Sequence, residues 1–401
     1  MPNKNSRGQT YAQKASFANV LCTTSSAAGV IGTSLEPIFD SDHSSVVFSS
    51  NVSEDITYTA SAGTFTFARA GIYHIVLSAH TNQVTAHRLQ TFEMRLNSAA
   101  AGGFYVASRQ ANTGYGPVES THQAVVSIAA DDILHIQMKT AGNTATVIQG
   151  TSVIITEITS GHYASHQATA DGSNTNIDEF NPFDEDYSGN PASYTTVSAG
   201  MTVTVNDGSF TIVESGKYLI MVTNLFLMAD QSGGTSVITM KLKKGGTAFA
   251  TRAVTAIAAD DPAENTFCLI EDLSASDVIT ATWDTSDTDS GDGVQAQKGT
   301  TFTIYKLAED SYTNGTTAGF FGSPYISVQN VADDEFTSTA AEVSPFDNDS
   351  YGTADFDTRV ARGITFTPAD GKFTVSEPGL YAVVFAPVFS IAHGKTVVTK
   401  I

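Results

Sequence analysis

Three stretches of the chain obey one rule, G-x-F-T-x-x-x-x-G-x-Y: "GTFTFARAGIY" from Gly63, "GSFTIVESGKY" from Gly208 and "GKFTVSEPGLY" from Gly371. The first two begin 145 residues apart and the last two 163 apart, a domain-sized period too long for a solenoid unit. A chain built this way folds the same unit repeatedly. Within the unit Phe65 and Phe67 alternate with threonines at period two, which sets aromatics on one face of a strand. The first glycine permits the turn into that strand, and the second lets the chain bend into the next. The segments after the second glycine, "IYHIVLSAH", "YLIMVTNLFL" and "YAVVFAPVF", are nearly continuously apolar and β-branched or aromatic, as in a strand covered on both faces.

Other landmarks keep the same order. A Phe-Asp-x-Asp stretch precedes each copy, at Phe39, Phe183 and Phe346, and further upstream a tyrosine opens a short strand at Tyr11, Tyr163 and Tyr325. Downstream, copies one and two share "MRLNSAAAGGF" with "MKLKKGGTAF", "IAADDILHIQM" with "LSASDVITATW", and "GTSVIITEI" with "GTTFTIYKL", while copy three has only "KTVVTKI". Many short strands separated by turns predict an all-β chain of tandem antiparallel β-sandwiches, two complete and one partial. The register divides it into a polar arm at 1–10, domains at 11–160 and 161–308, a linker at 309–324 and a partial domain at 325–401. Short linkers predict a stiff rod.

The glycine–aromatic unit, the apolar strand after it, the "ASDV" corner and the final strand after Gly-Thr resemble the jelly roll of the complement-q and tumour-necrosis-factor superfamily. The resemblance spans two full copies and one partial copy. It implies a ten-stranded sandwich of two five-stranded sheets that associates as a threefold homo-oligomer through its flatter face. In the last strand "SVIITEI" and "TFTIYKL" depart from the Phe-x-Gly-x-Leu-Leu pattern of that family.

A formal charge of -21, from 20 basic and 41 acidic residues, repels nucleic-acid phosphates and anionic membrane surfaces. Neither is an expected partner. The amino terminus lacks the continuous apolar run of a secretory signal, and no run reaches the eighteen residues of a membrane span. With only Cys22 and Cys268, in different copies, no disulfide framework is expected.

Calcium is the one cofactor the sequence raises. Asp40 with Asp42, Asp184 with Asp186 and Asp347 with Asp349 place paired carboxylates two residues apart, and Asp284, Asp287, Asp289 and Asp292 crowd one acidic loop. The alternatives are an Asx-turn with the phenylalanine plugging the sandwich, and a solvated hairpin tip. No catalytic set is expected: G-x-S-x-G, H-E-x-x-H, P-loop and dinucleotide patterns are all missing, and His74, His80, His122 and His135 of copy one have no histidine at the matching places of copy two. The construction predicts a non-enzymatic bacteriophage virion protein, a capsid-decoration or tail-fibre component. It would be anchored to other virion proteins by Lys4, Arg7 and Lys14 of its arm and would touch a host glycan or receptor by avidity. The alternative is a bacterial extracellular adhesin or filament subunit completed by strand exchange between chains.

Overall fold

The computed structural model describes residues 15–23, 30–41, 47–83, 89–97, 99–109, 117–141, 144–173, 179–228, 236–256, 262–285, 294–307, 325–330, 356–362 and 364–376. Module one contributes ten principal strands: β1 (Phe17–Cys22), β2 (Phe48–Glu54), β3 (Ile56–Thr59), β4 (Thr64–Phe67), β5 (Gly71–Gln83), β6 (Leu89–Leu96), β7 (Ala99–Arg109), β8 (Pro117–Ile128), β9 (Ile133–Thr140) and β10 (Ser152–Glu157). They pair antiparallel into two sheets, ordered β2-β1-β10-β5-β8 and β3-β4-β9-β6-β7. The chain passes back and forth between the two sheets, which is the jelly-roll winding.

Module two repeats this strand for strand. It holds β11 (Tyr163–Ala168), β12 (Tyr194–Ala199), β13 (Thr202–Thr204), β14 (Ser209–Thr211), β15 (Gly216–Met228), β16 (Ser236–Lys244), β17 (Thr247–Ala256), β18 (Pro262–Leu273), β19 (Val278–Thr285) and β20 (Thr301–Lys306). The sheets run β12-β11-β20-β15-β18 and β13-β14-β19-β16-β17. Even the register recurs: Ile128 faces Gly71 as Leu273 faces Gly216, and Glu157 faces Tyr73 as Lys306 faces Tyr218. Of the third copy the described strands are β21 (Tyr325–Asn330), β22 (Phe356–Arg362), β23 (Ile364–Thr367) and β24 (Lys372–Val375), paired β21 with β22 and β23 with β24.

The cores form where the alternation demands. Phe39, Phe65, Phe67, Tyr73, Ile75 and Leu77 are fully buried in module one, as are Phe183, Phe210, Tyr218, Ile220, Trp283 and Phe302 in module two. Both Phe39 and Phe183 plug a sandwich, and a tyrosine ties down the backbone at or just before each: Tyr58 Oη donates to Phe39 O at 2.6 Å, and Tyr194 Oη to Pro182 O at 2.7 Å. The first glycine of each unit lies in the left-handed region, Gly63 at φ 61°, Gly208 at 54° and Gly371 at 60°. A Cβ at Gly208 would lie 2.3 Å from Phe183 C, so only glycine fits there.

Two expectations change. The strand pairing puts Phe17, not Tyr11, in the place of Tyr163 and Tyr325, because Phe17 faces Thr156 and Glu54 as Tyr163 faces Tyr305 and Ala199. Tyr11 itself lies outside the described residues. The expected rod gives way to lateral packing: β8, the edge strand of the β1-bearing sheet of module one, lies against the β11-bearing sheet of module two, where Val125, Ile158 and Tyr163 form an apolar cluster across the two modules.

Candidate interaction surface between modules

Module one meets module two through β8, the edge strand of its outer-facing sheet. Its core-facing residues Ala124, Val126 and Ile128 alternate with Gln123 and Val125, which point the other way and are nevertheless buried. Val125 joins Ile158 and Tyr163 in an apolar cluster that spans the two modules, flanked by Ile72, Val197, Ala199 and Tyr305. Leu225, on β15, packs into the core of module one.

Two polar relays sit inside this joint. Gln123 Nε2 donates to Met221 O at 2.9 Å and Thr301 O at 3.3 Å, and its Oε1 lies 3.1 Å from His74 Nε2. Every polar atom of the Gln123 amide therefore has a partner, on both modules. His74 also meets the Tyr305 ring edge-on, with centroids 5.4 Å apart. In the second relay Ser120 Oγ donates to Glu264 Oε2 at 2.7 Å, the Thr121 amide donates to Glu264 Oε1, and His122 Nε2 bonds Ser120 Oγ. With the Ser120 hydroxyl proton directed at Glu264, the Ser120 oxygen is left to accept, so His122 donates from a protonated Nε2. Its Nδ1 is buried without a hydrogen-bond partner. Burial pushes the His74 imidazole down to about 4 and that of His122 to about 3, so both are neutral near pH 7.

Serine, histidine and carboxylate together invite a catalytic reading, which the geometry opposes. In a nucleophilic triad the carboxylate orients the histidine, and the histidine takes the serine proton. Here Glu264 accepts the serine hydroxyl's hydrogen bond directly, and Ser120 and His122 are 2% and 1% exposed, closed off between two modules. The cluster works as a joint. Sequence reasoning missed it because Glu264 lies 144 residues from Ser120 and no local pattern links them.

The expected calcium residues that are described sit in turns and ion pairs. Asp184 Oδ1 accepts the Asp186 amide at 2.9 Å, an Asx-turn, and burial pushes the Asp184 carboxyl above its ordinary value. Asp40 follows Phe39 into the equivalent turn, its neighbour Ser41 N donating to Ala60 O at 2.8 Å. Asp284 lies 3.3 Å from Lys241 Nζ, which also pairs with Glu179 at 2.7 Å. Lys241, Lys243 and Thr282 hold the Glu179 carboxyl down at about 2 against its desolvation. Asp42, Asp287, Asp289, Asp292, Asp347 and Asp349 lie outside the described residues, as do Lys4, Arg7 and Lys14. Among the described residues no group of three or more His, Cys, Asp or Glu side chains is set to hold a metal. Cys22 and Cys268 are not joined in a disulfide. Among the same residues no helix is long and apolar enough to cross a membrane.

No protein-family model matches the chain, and no curated protein does. Among solved structures it is similar to Eiger TNF from S. frugiperda, at 12% identity and a TM-score of 0.26, over 36% of this chain and 94% of that one. It is also similar to murine APRIL at pH 8.5, at 14% identity and a TM-score of 0.25, over 36% of this chain and 100% of that one.

Proposed function

We propose that this protein is a non-enzymatic structural component of a bacteriophage particle, a capsid-decoration or tail-fibre protein that assembles on the virion and attaches to a host surface. The observation that carries the reading is the joint between modules. Its buried polar side chains Gln123, Ser120 and His122 are spent on holding one sandwich against the next, an arrangement suited to bearing load and displaying loops. Side-by-side jelly rolls leave their connecting loops at the ends of the sandwiches, where contacts with a glycan or receptor are multiplied by avidity. Its net negative charge opposes non-specific aggregation, and its basic arm residues Lys4, Arg7 and Lys14 supply the contact with an acidic virion partner.

Immunogold electron microscopy of the source culture, with antibody raised against residues 163–307, tests this. Label is expected on the heads or tails of virions. Label confined to bacterial envelopes or to shed filaments, with virions bare, would replace the reading with an extracellular adhesin.

A further inference from the structure

On the outer face of β5 one residue is closed off by the neighbouring module. Ile72 and Val76 are half-buried, but His74 between them is 4% exposed. Its ring meets the edge of Tyr305 from β20, its register partners are Val125 on β8 and Thr156 on β10, and the Gln123 amide lies 3.1 Å from its Nε2. Because Gln123 Nε2 donates to Met221 O and Thr301 O, its Oε1 is left to accept, so His74 donates from a protonated Nε2.

None of these groups offsets the charge of a second proton. Burial pushes up both the Tyr305 phenol and the thiol of Cys268, on β18 beside it, so both are neutral. The acid on the neighbouring strand, Glu157, is the register partner of Tyr73 on the opposite face of β5 and is held by Arg69 at 2.6 Å. A charged His74 is therefore stable only where water reaches it, which requires the modules to part. His122 differs, because it lies on the core side of β8 against Phe92, with Glu264 beyond Ser120, and its charge would load module one as well as the joint.

The connector permits such parting. Residues 159–162 alone separate Ile158 from Tyr163; Thr159 and Gly161 are exposed, and Gly161, at φ 68°, has open space around it. The apolar cluster of Val125, Ile158 and Tyr163 is far smaller than either core, so the joint yields before the sandwiches do.

We infer that the joint between modules one and two is an acid-operated hinge: a proton taken up by His74 parts the two sandwiches about residues 159–161 and bares the Val125–Ile158–Tyr163 strip while both cores stay folded. Burial holds the His74 imidazole at about 4 in the joint against 6.5 in water, so the open form binds more protons between those values. The joint is at full strength above pH 6.5 and weakens as the pH falls toward 4, by up to roughly tenfold in the closed-to-open ratio per pH unit. The inference rests on the joint and not on the virion setting.

Small-angle scattering of the full chain between pH 7.5 and pH 5, with the emission of Trp283 as a monitor of the module-two core, tests it. The radius of gyration is expected to rise as the pH falls while the emission stays native. H74Q, whose amide still donates to Gln123 and takes no proton, should open at least half a pH unit lower, and H166Q, inside module two, should open where the parent does. Carbethoxylation of the parent avoids any loss of folding in a variant: the reactivity of His74 relative to N-acetylhistidine is expected to rise at least tenfold from pH 7.5 to pH 5.5. A radius constant to pH 5, a rise that coincides with loss of the native Trp283 emission, opening of H74Q at the parent's pH, or unchanged relative reactivity of His74 would each overturn the hinge.

Discussion

Single positions carry much of the fold. At Gly63 and Gly208 a side chain would meet backbone atoms at 2.7 Å and 2.3 Å in a backbone already at positive φ, so alanine at either is expected to cost about 1–3 kcal/mol, read as a lowered urea midpoint. Alanine at Gly245, also at positive φ but with open space around it, should cost less. Three buried histidines set the acid response: His74, His122 and His166 are all held neutral by burial, at about 4, 3 and 4. Each binds a proton near pH 6.5 when unfolded and only well below that when folded. Over that window the unfolded state binds more protons, so stability is full above pH 6.5 and falls as the pH drops toward 4. The slope approaches roughly 1.4 kcal/mol per pH unit for each histidine. Denaturation midpoints at pH 7.5 and pH 5 should differ accordingly and the difference should shrink in H74Q; equal midpoints would contradict the buried neutral state. At the Phe-Asp turns the Asx-turn at Asp184 occupies the carboxylate, so EDTA is expected to leave the melting midpoint of calcium-treated protein unchanged, and a fall of several degrees would restore the metal reading.

Between elements, the two complete modules solve one problem with opposite charges. Where the turn before the long strand meets the last strand, Arg69 pairs with Glu157 at 2.6 Å in module one, and Glu214 pairs with Lys306 at 2.6 Å in module two. The positions are equivalent by register, and so are Asp55 and Gly200, both at positive φ, the former also pairing with Arg69 at 3.2 Å. E157K alone should therefore lower the melting midpoint of the protein, and D55G/R69E/E157K, which transplants the arrangement of module two, should recover most of it. Failure of the triple variant to improve on the single one would mean that the pair is set by surroundings that differ between copies. Such equivalences show what the sequence makes legible. Alternation of Phe65 and Phe67, the glycines at 63, 208 and 371 and the apolar runs after them specify strands and turns locally, because period and turn chemistry are local properties. The first strand of module one is harder to place, since Phe17 and Tyr11 are both aromatic and only pairing with Thr156, far along the chain, decides between them. The joint is illegible for the same reason: Gln123 reads as an ordinary strand glutamine until Met221 and Thr301 are brought to it.

At the scale of the whole molecule, lateral packing makes the modules cooperative. Removing the Glu264 carboxylate leaves the buried Ser120 hydroxyl and the Thr121 amide without their acceptor, a loss of about 1–3 kcal/mol that falls on the joint and not on either core. Calorimetry of E264A should accordingly split one coupled transition into two, with Trp283, buried in the core of module two, reporting the later or earlier of them. The most direct measurement is a double-mutant cycle between Ser120 and Glu264, comparing the unfolding free energies of S120A, E264A and S120A/E264A with the parent. Two residues on different modules that touch as described should show a coupling energy of roughly 0.5–3 kcal/mol. Additivity within about 0.3–0.5 kcal/mol would mean that the modules do not meet at this face, and with it the joint on which the holding role rests would be gone.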